Sequence, residues 1–451
     1  MATEREQWTS RLGFVLAAAG SAIGLGNIWK FPYLVGQNGG GAFIIVYLIC
    51  VLIIGLPVVI AEILIGRTAQ RNPLGSFRVL SNGNPFWMGL GILGIIAGFC
   101  ILSYYNVIAG WSLGYIFQSL AGGFRSIDNP AQASQLLSQL ISSPVWTITY
   151  HFFFMALTVS IIYFGVTRGI EKSSKVLMPL LFLLLIALVI RGVTLTNSLP
   201  GVLYLLKPDF AAINSRTVLL ALGQAFFSLS LGMGALLTYG SYMSKNDSIP
   251  KGALSIVTLD TLVALLAGFM IFPALFAFGM QPDQGPALIF NLLPVIFNHI
   301  PGGEFFRILF FILLSLAALT STISLLEVIT AFAVDELKIP RKRAALLFGS
   351  LVFLFGIPSA LSFGILKNWH PFNLDFFSLM DFLSSNIFLP VGGIFIAIFV
   401  GWYWQKDEVI ANLKLGAGTL PHWLILTWMI LIRFVSPVLI LLVFLSCLKI
   451  I

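Results

Sequence analysis

Two long apolar stretches of the sequence are interrupted by glycine together with Ser or Asn, at 20–27 (GSAIGLGN) and at 228–234 (SLSLGMG). Glycine in a helix interior costs about 1 kcal/mol, so each cluster predicts local unwinding of a helix. Unwound backbone exposes carbonyl oxygens, which suit a sodium ion because hard cations prefer oxygen ligands. It also frees amide groups at a helix N-terminus, where the helix dipole favours a carboxylate. The two clusters are therefore suited to hold a hard cation such as sodium and a carboxylate within one small-molecule site.

A second interpretation of the same glycines is close packing between helices, as in motifs of small residues separated by three positions. One glycine-rich helix would favour that interpretation. Two clusters at matching places in the chain, each carrying polar residues, favour unwinding.

The elements that would position these clusters are membrane-spanning helices. The 451-residue chain is 58% hydrophobic and only 9% charged, whereas globular proteins contain about 25% charged residues. Since only helices and closed barrels satisfy their backbone in lipid, we expect an all-α integral membrane protein surrounded by the lipid bilayer. Eleven apolar stretches are long enough to cross the bilayer: 10–35, 41–66, 87–121, 146–165, 173–194, 217–242, 252–279, 305–334, 344–366, 376–403 and 423–449. A further short apolar segment within 280–304 is expected to dip back as a hairpin.

The net charge of +8 does not indicate a nucleic-acid partner, because the Lys and Arg residues form no single patch. Most of them lie in short loops that would face one side of the membrane. The positive-inside rule then predicts a cytoplasmic N-terminus and, with an odd number of spans, an external C-terminus. The expected location is the cell membrane.

The interrupted stretches are the first and the sixth, so they lead two five-helix halves, 10–194 and 217–403, with 423–449 as an additional helix. Paired interruptions are typical of secondary transporters built from an inverted repeat, which predicts one transporter domain over 1–451. A substrate-gated channel would need a continuous polar pore, and a receptor of the same fold would need an appended signalling domain. An enzyme is disfavoured because the four histidines lie near span ends or in loops, with no evident nucleophile–base pair.

Several motifs resemble the neurotransmitter:sodium symporter family. The run RLGFVLAAAGSAIGLGNIWKFPYLVGQNGGGAF resembles its first helix, SYYNVIAGW its third, GQAFFSLSLGMGALLTYGSY its sixth and LAALTSTISLLE its eighth. The resemblance extends over about residues 5–437 and is to the bacterial branch with eleven helices that transports amino acids. It implies sodium-coupled symport by alternating access, with two co-transported sodium ions and an amino-acid substrate.

The resemblance implies a substrate site in which the amides of Leu25 and Gly26 and the hydroxyl of Tyr105 bind the carboxylate. The ammonium would meet the carbonyls of Ala22 and Phe227 and the Ser230 hydroxyl. Family members that carry amines without a carboxylate have Asp at the position of Gly24, so this chain should take an amino acid. An apolar pocket implies a hydrophobic L-amino acid, with aromatic ones included. The implied substrate residues are Ala22, Leu25, Gly26, Ile101, Tyr105, Phe227, Ser228, Ser230, Met233 and Leu325.

The resemblance also implies two sodium sites. The first would use Ala22, Asn27, Ser228 and Asp260, and the second would use Gly20, Ile23, Ala317, Thr320 and Ser321. An acidic residue deep in an apolar span is expected to be functional, although a water-filled vestibule could also hold Asp260. Chloride-dependent members have a serine where this chain has Ala264, so we expect chloride independence, with Asp260 supplying the negative charge.

Gates on both sides of the site are implied as well. Outside, Lys30 would pair with Asp381, directly or through water, above a lid formed by Tyr105 and Phe227. Many members have Arg at position 30, and Lys cannot form the bidentate pair that Arg forms.

Inside, Arg5 would pair with Asp335. The side chains expected near this pair are Trp8, Ser241 and Tyr242.

Three further positions follow from the resemblance. Gly169 and Pro179 match a Gly-X9-Pro pattern in the fifth helix that is associated with unwinding and inward opening. Glu62 is expected to hydrogen-bond the unwound segments, whereas the sequence assigns no role to Glu327.

Overall fold

The computed structural model describes residues 5–280 and 288–450. This part of the chain is helical apart from its loops and one isolated bridge between Gly40 and Pro208. The membrane-spanning helices are α1a (Arg11–Ala22), α1b (Gly26–Gln37), α2 (Gly41–Ala69), α3 (Pro85–Leu120), α4 (Pro144–Tyr163), α5 (Val166–Val193), α6a (Ser215–Ser228), α6b (Ala235–Gly240), α7 (Ile249–Ala277), α8 (Gly303–Asp335), α9 (Arg341–Leu361), α10 (Phe376–Tyr403) and α11 (His422–Cys447).

The predicted all-helical membrane fold with broken first and sixth helices is confirmed. Nine of these helices in the described ranges are individually long and apolar enough to cross a membrane, and α1a with α1b forms a tenth span bent by 54°. The pieces α6a and α6b, separated by 229–234, occupy the remaining predicted span.

Shorter helices lie in the connections, over Pro73–Leu80, Pro130–Ser142, Leu199–Leu206, Leu293–Asn298 and Lys406–Lys414. The hairpin expected within 280–304 falls partly on residues 281–287, which lie outside the described residues. Its described part is helical over 288–298 and turns directly into α8.

The two breaks have different backbone causes. Helix α1a ends where Ile23 becomes extended, at φ −67° and ψ 112°. In the α6 break, Ser230 and Gly232 have φ values of 55° and 84°, which an α-helix cannot accommodate. Gly232 also lies so close to the Leu389 carbonyl that a Cβ there would overlap it. The sixth helix therefore cannot run straight through this point.

The helices pack in two groups. Helices α3, α4, α8 and α9 pack on one another, while α1, α2, α6 and α7 form the second group. Helix α1a also contacts α8. The breaks in α1 and α6 consequently face α3 and α8 across the boundary between the two groups.

Candidate functional site

A small cavity lies where the two breaks face α3 and α8. Its walls are Ser21, Ala22, Gly24, Gly26, Asn27, Ile101, Tyr105, Phe227, Ser228, Ser230, Met233, Ser321, Ser324 and Leu325. Every predicted substrate residue except Leu25 lines it. The sequence does not predict that Ser21 and Ser324 also line the cavity, because nothing distinguishes these serines from others in the same motifs.

One end of the cavity presents backbone amides. The amide of Leu25 donates to the Tyr105 hydroxyl at 3.0 Å, and Gly26 begins α1b. A helix N-terminus carries unpaired N–H groups and partial positive charge, so this end can bind a carboxylate. The Phe227 ring lies beside the same end, since a Cβ on Gly26 would lie 3.2 Å from one of its carbon atoms.

Gly24 leaves no space for a side chain. A Cβ built there would lie 2.7 Å from the Ser321 hydroxyl and 2.8 Å from the Tyr105 hydroxyl. These distances are shorter than a carbon atom tolerates, so a larger residue would displace at least one hydroxyl. A glycine at position 24 thus allows the Ser321 and Tyr105 hydroxyls to approach the amide end.

The carbonyl groups of the breaks lie beside the amide end. Ser230 donates its hydroxyl to the Ser21 carbonyl at 3.1 Å and its amide to the Phe227 carbonyl at 3.1 Å. Ala22 is buried in the cavity wall. Carbonyl and hydroxyl oxygens gathered in this way can accept hydrogen bonds from an ammonium group.

The cavity also has an apolar end. It is formed by Ile101 on α3, Met233 in the α6 break and Leu325 on α8, all of which are buried. Methionine is unbranched and deformable, so this end can adapt to side chains of different shape.

A buried oxygen cluster joins α1, α6 and α7. Asn27 donates its Nδ2 to the Ser228 hydroxyl at 3.0 Å and to the Asp260 carboxylate at 2.8 Å. Ser228 donates its hydroxyl to the other Asp260 carboxylate oxygen at 2.9 Å. Asp260 is fully buried. The three side chains predicted for the first sodium site are therefore brought together, and Ala22 lies in the adjoining wall.

A second oxygen cluster joins α8 to the α1 break. The Thr320 hydroxyl lies 3.0 Å from the Ala317 carbonyl and 3.5 Å from the Ile23 carbonyl. The Ser321 hydroxyl lies 3.3 Å and 3.2 Å from the same two carbonyls. Gly20 packs against Thr320, where an added Cβ would lie 3.1 Å from the Thr320 Cβ. The two hydroxyl oxygens and the two carbonyl oxygens thus lie close together. A small shift of these groups would let all four coordinate one cation.

The outer side differs in detail from the predicted gate. Within the described residues, Lys30 and Asp381 form no direct ion pair. Lys30 is exposed, and its Nζ lies over the Phe227 ring, 4.3 Å from the ring centre. Asp381 instead accepts hydrogen bonds from Tyr104 and Ser385, both at 2.8 Å.

The inner side is closed by the predicted residues. Arg5 lies 2.5 Å from the Asp335 carboxylate and donates to the Ser241 hydroxyl at 2.7 Å. Its guanidinium lies over the Tyr242 ring, 4.7 Å from the centre. Trp8 donates its amide to the Tyr242 carbonyl at 3.0 Å and is buried. The Arg5 side of the cavity is therefore closed, whereas Lys30 on the other side is exposed.

A second ion pair lies beside this gate. Glu327 on α8 is fully buried, and its carboxylate lies 2.5 Å from the Arg341 guanidinium. It also accepts a hydrogen bond from the Tyr242 hydroxyl at 2.5 Å. Glu327 therefore links α8, α9 and the gate residue Tyr242.

Glu62 accepts a hydrogen bond from the Gly232 amide at 2.7 Å, within the α6 break. In α5, Gly169 lies in a wide turn over Val166–Glu171, and Pro179 lies inside the helix that follows. Both α5 residues therefore lie in wound helix.

Comparisons with known proteins agree with these features. The family model described as the sodium:neurotransmitter symporter family matches residues 5–125 and 135–451. An uncharacterised sodium-dependent transporter of Bacillus subtilis is 42% identical over 440 residues, covering 98% of this chain and 97% of that protein. One from Haemophilus influenzae is 39% identical over 453 residues, covering 98% of each chain. The crystal structure of MhsT in complex with L-phenylalanine matches with a TM-score of 0.89 and 48% identity, covering 98% of this chain and 100% of that chain.

Proposed function

The chain belongs to the sodium:neurotransmitter symporter family and is a sodium-coupled membrane transporter; on that premise we propose that it imports hydrophobic L-amino acids with two sodium ions and without chloride. The observation that carries this proposal is a single cavity that combines the amide end at Gly24–Gly26 with an apolar end formed by side chains of α3, the α6 break and α8. An amino acid has a carboxylate for the first end and a side chain for the second. MhsT, which this chain resembles over its full length, was solved with L-phenylalanine.

The absence of a side chain at Gly24 supports an amino acid over a bare amine. An amine transporter must supply its own carboxylate to the site, and Gly24 has no space for one. The substrate would then supply the carboxylate that binds the amide end, and this carboxylate would add to that of Asp260 in the first sodium site.

Two oxygen clusters support two sodium ions. The cluster at Asn27, Ser228 and Asp260 includes one buried carboxylate, and the cluster at Thr320 and Ser321 consists of neutral oxygens. Each sodium ion moving through 100 mV contributes about 2.3 kcal/mol, so two ions could drive substantial accumulation.

Chloride independence rests on Asp260 and Ala264. The Asp260 carboxylate lies inside the first cluster, and Ala264 offers no hydroxyl one turn further along α7. The charge that a chloride ion would bring is then already present in the protein.

The transport cycle follows from the two gates. Sodium and substrate enter from the exposed outer side and close it by drawing Phe227 and Tyr105 over the cavity. Release inward requires rupture of the Arg5–Asp335 pair and loss of the second sodium. The contacts of Trp8 with Tyr242 and of Arg5 with Asp335 close one side of the cavity, which favours this cycle over a substrate-gated channel. The chain would lie in the cell membrane with its N-terminus in the cytoplasm.

Equilibrium binding of labelled ligands to the purified full chain tests the proposal. Leucine, phenylalanine and tryptophan should bind in sodium chloride and sodium gluconate alike, and not in potassium chloride. Phenethylamine, which is phenylalanine without its carboxylate, is the matched control ligand. It should bind at least ~100-fold more weakly, because it loses hydrogen bonds to a charged group worth about 1.5–3 kcal/mol each.

Three outcomes would contradict the proposal. They are binding that is equal in sodium and potassium, binding that is lost in gluconate, and phenethylamine binding as strong as that of phenylalanine. The first would refute sodium coupling to the substrate, the second the role of Asp260, and the third the carboxylate site at α1b.

A further inference from the structure

The cytoplasmic end of α5 is a weak stretch of helix. It starts after Gly165, whose φ is 93°, and its first turn over Val166–Glu171 is wider than an α-helical turn. Eight residues later Pro179 lacks an N–H, so the carbonyl of Lys175 has no partner within the helix. Residues 166–179 are therefore the part of α5 that can unwind at the lowest cost.

Glu171, in this weak stretch, binds the segment that precedes α1a. Its carboxylate accepts hydrogen bonds from the Thr9 amide at 2.8 Å, the Thr9 hydroxyl at 2.6 Å and the Ser10 hydroxyl at 3.1 Å. Glu171 is buried, and Lys175 pairs with it at 2.7 Å from the more exposed side. A carboxylate from α5 thus holds the two residues that precede α1a, including Ser10, which caps that helix.

The surrounding chain leaves space for this carboxylate. Gly13 faces it so closely that a Cβ at Gly13 would overlap the Glu171 side chain. A second carboxylate, that of Glu6, accepts a hydrogen bond from the Val166 amide at 2.6 Å. The N-terminal segment is consequently fastened to the first turn of α5 at two points.

The fastened segment carries the inner gate. Arg5 and Trp8 lie one to four residues before Thr9, on the same short stretch without helix. We propose that Glu171 is a positioning residue that ties the cytoplasmic gate to the helical state of α5. While 166–179 is wound, Glu171 holds Thr9 and Ser10 and thereby keeps Arg5 and Trp8 in the gate. Unwinding withdraws the carboxylate and releases the segment. The inference rests on the proposed function only in that the gate must open in each cycle.

Hydrogen exchange of the purified full chain, followed by mass spectrometry, tests the tie directly. In Glu171→Gln, peptides over 5–13 should exchange roughly tenfold faster, because a charged acceptor of three hydrogen bonds is lost. Gly13→Ala should have the same effect, since it displaces the carboxylate without removing a hydrogen-bonding group. Lys175→Met is the matched control: it removes the ion pair but keeps the three bonds, and exchange should stay at the wild-type rate.

A cysteine at Ala331, which lines the cytoplasmic cavity, reports whether Glu171 acts through the gate. Maleimide should label this cysteine faster in Glu171→Gln than in the otherwise wild-type chain. In the Asp335→Ala variant, where the gate is already open, adding Glu171→Gln should not raise the labelling rate further. Unchanged exchange over 5–13 in both Glu171→Gln and Gly13→Ala would overturn the inference. So would additive labelling, which indicates a general structural defect. Neither readout needs a substrate, so failure of sodium-driven uptake would reject the proposed function separately.

Discussion

Replacing Asp260 by Asn tests whether its charge holds the first sodium ion. The change keeps the shape of a fully buried side chain and leaves Asn27 and Ser228 beside it. Two unit charges about 4 Å apart attract by about 4 kcal/mol at an effective dielectric constant of about 20. The loss of this attraction is partly offset. In the sodium-free protein a buried carboxylate is unfavourable, and Asn removes that cost. A net loss of about 1.5–3 kcal/mol remains, which is a roughly 10- to 150-fold increase in the half-saturating sodium concentration.

The assay is binding of labelled phenylalanine as a function of sodium, in chloride and in gluconate. We expect Asp260→Asn to show the increased sodium requirement and to bind better in chloride than in gluconate. Ser228→Ala is the matched control, because it removes a neighbouring oxygen but keeps the charge. It should raise the sodium requirement less and show no difference between the anions.

The reasoning about Asp260 would be refuted by one clear result. Asp260→Asn would have to show a half-saturating sodium concentration within about twofold of wild type, and the same value in both anions. A twofold change corresponds to only about 0.4 kcal/mol, far below the electrostatic attraction expected for this geometry.

The remaining predictions concern the cavity and the inner gate. Gly24→Ala should weaken phenylalanine binding at least ~10-fold at saturating sodium, because the added methyl would approach two hydroxyl oxygens to 2.7 and 2.8 Å; wild-type affinity would contradict the crowding. Met233→Ala should shift selectivity from leucine towards tryptophan in a competition assay, whereas Met429→Ala, an equally buried methionine in α11, should leave the ratio unchanged. Glu327→Gln should destabilise the protein in detergent by about 3 kcal/mol, since it leaves the partly buried Arg341 without its charged partner. The double variant with Arg341→Gln should recover part of that loss in a thermal unfolding assay, and an additive loss would argue against the pair.

Much of the fold could be predicted from the sequence because lipid imposes a simple rule. Each span must be apolar for about 20 residues, so glycine and Ser or Asn inside such a stretch are conspicuous. The breaks at 23–25 and 229–234 fall within the predicted clusters. The family resemblance then related distant residues to one another, which periodicity alone could not do.

The parts that the sequence did not predict depend on directions of side chains in three dimensions. Glu327 and Arg341 belong to different helices, and only the packing of α9 on α8 brings them to 2.5 Å. The sequence predicts an ion pair between Lys30 and Asp381, but the Lys30 ammonium group lies over the Phe227 ring instead. The neighbouring helices determine these side-chain directions, so the local pattern of residues does not predict them.

Uptake of labelled L-phenylalanine into proteoliposomes tests the central claim most directly. With an inward sodium gradient and a clamped negative internal potential, the labelled amino acid should accumulate above its external concentration. Accumulation should be the same when chloride is replaced by gluconate and should collapse when a sodium ionophore dissipates the gradient. Uptake that proceeds equally without sodium, or that never exceeds the external concentration under the gradient, would contradict sodium-coupled symport through this site.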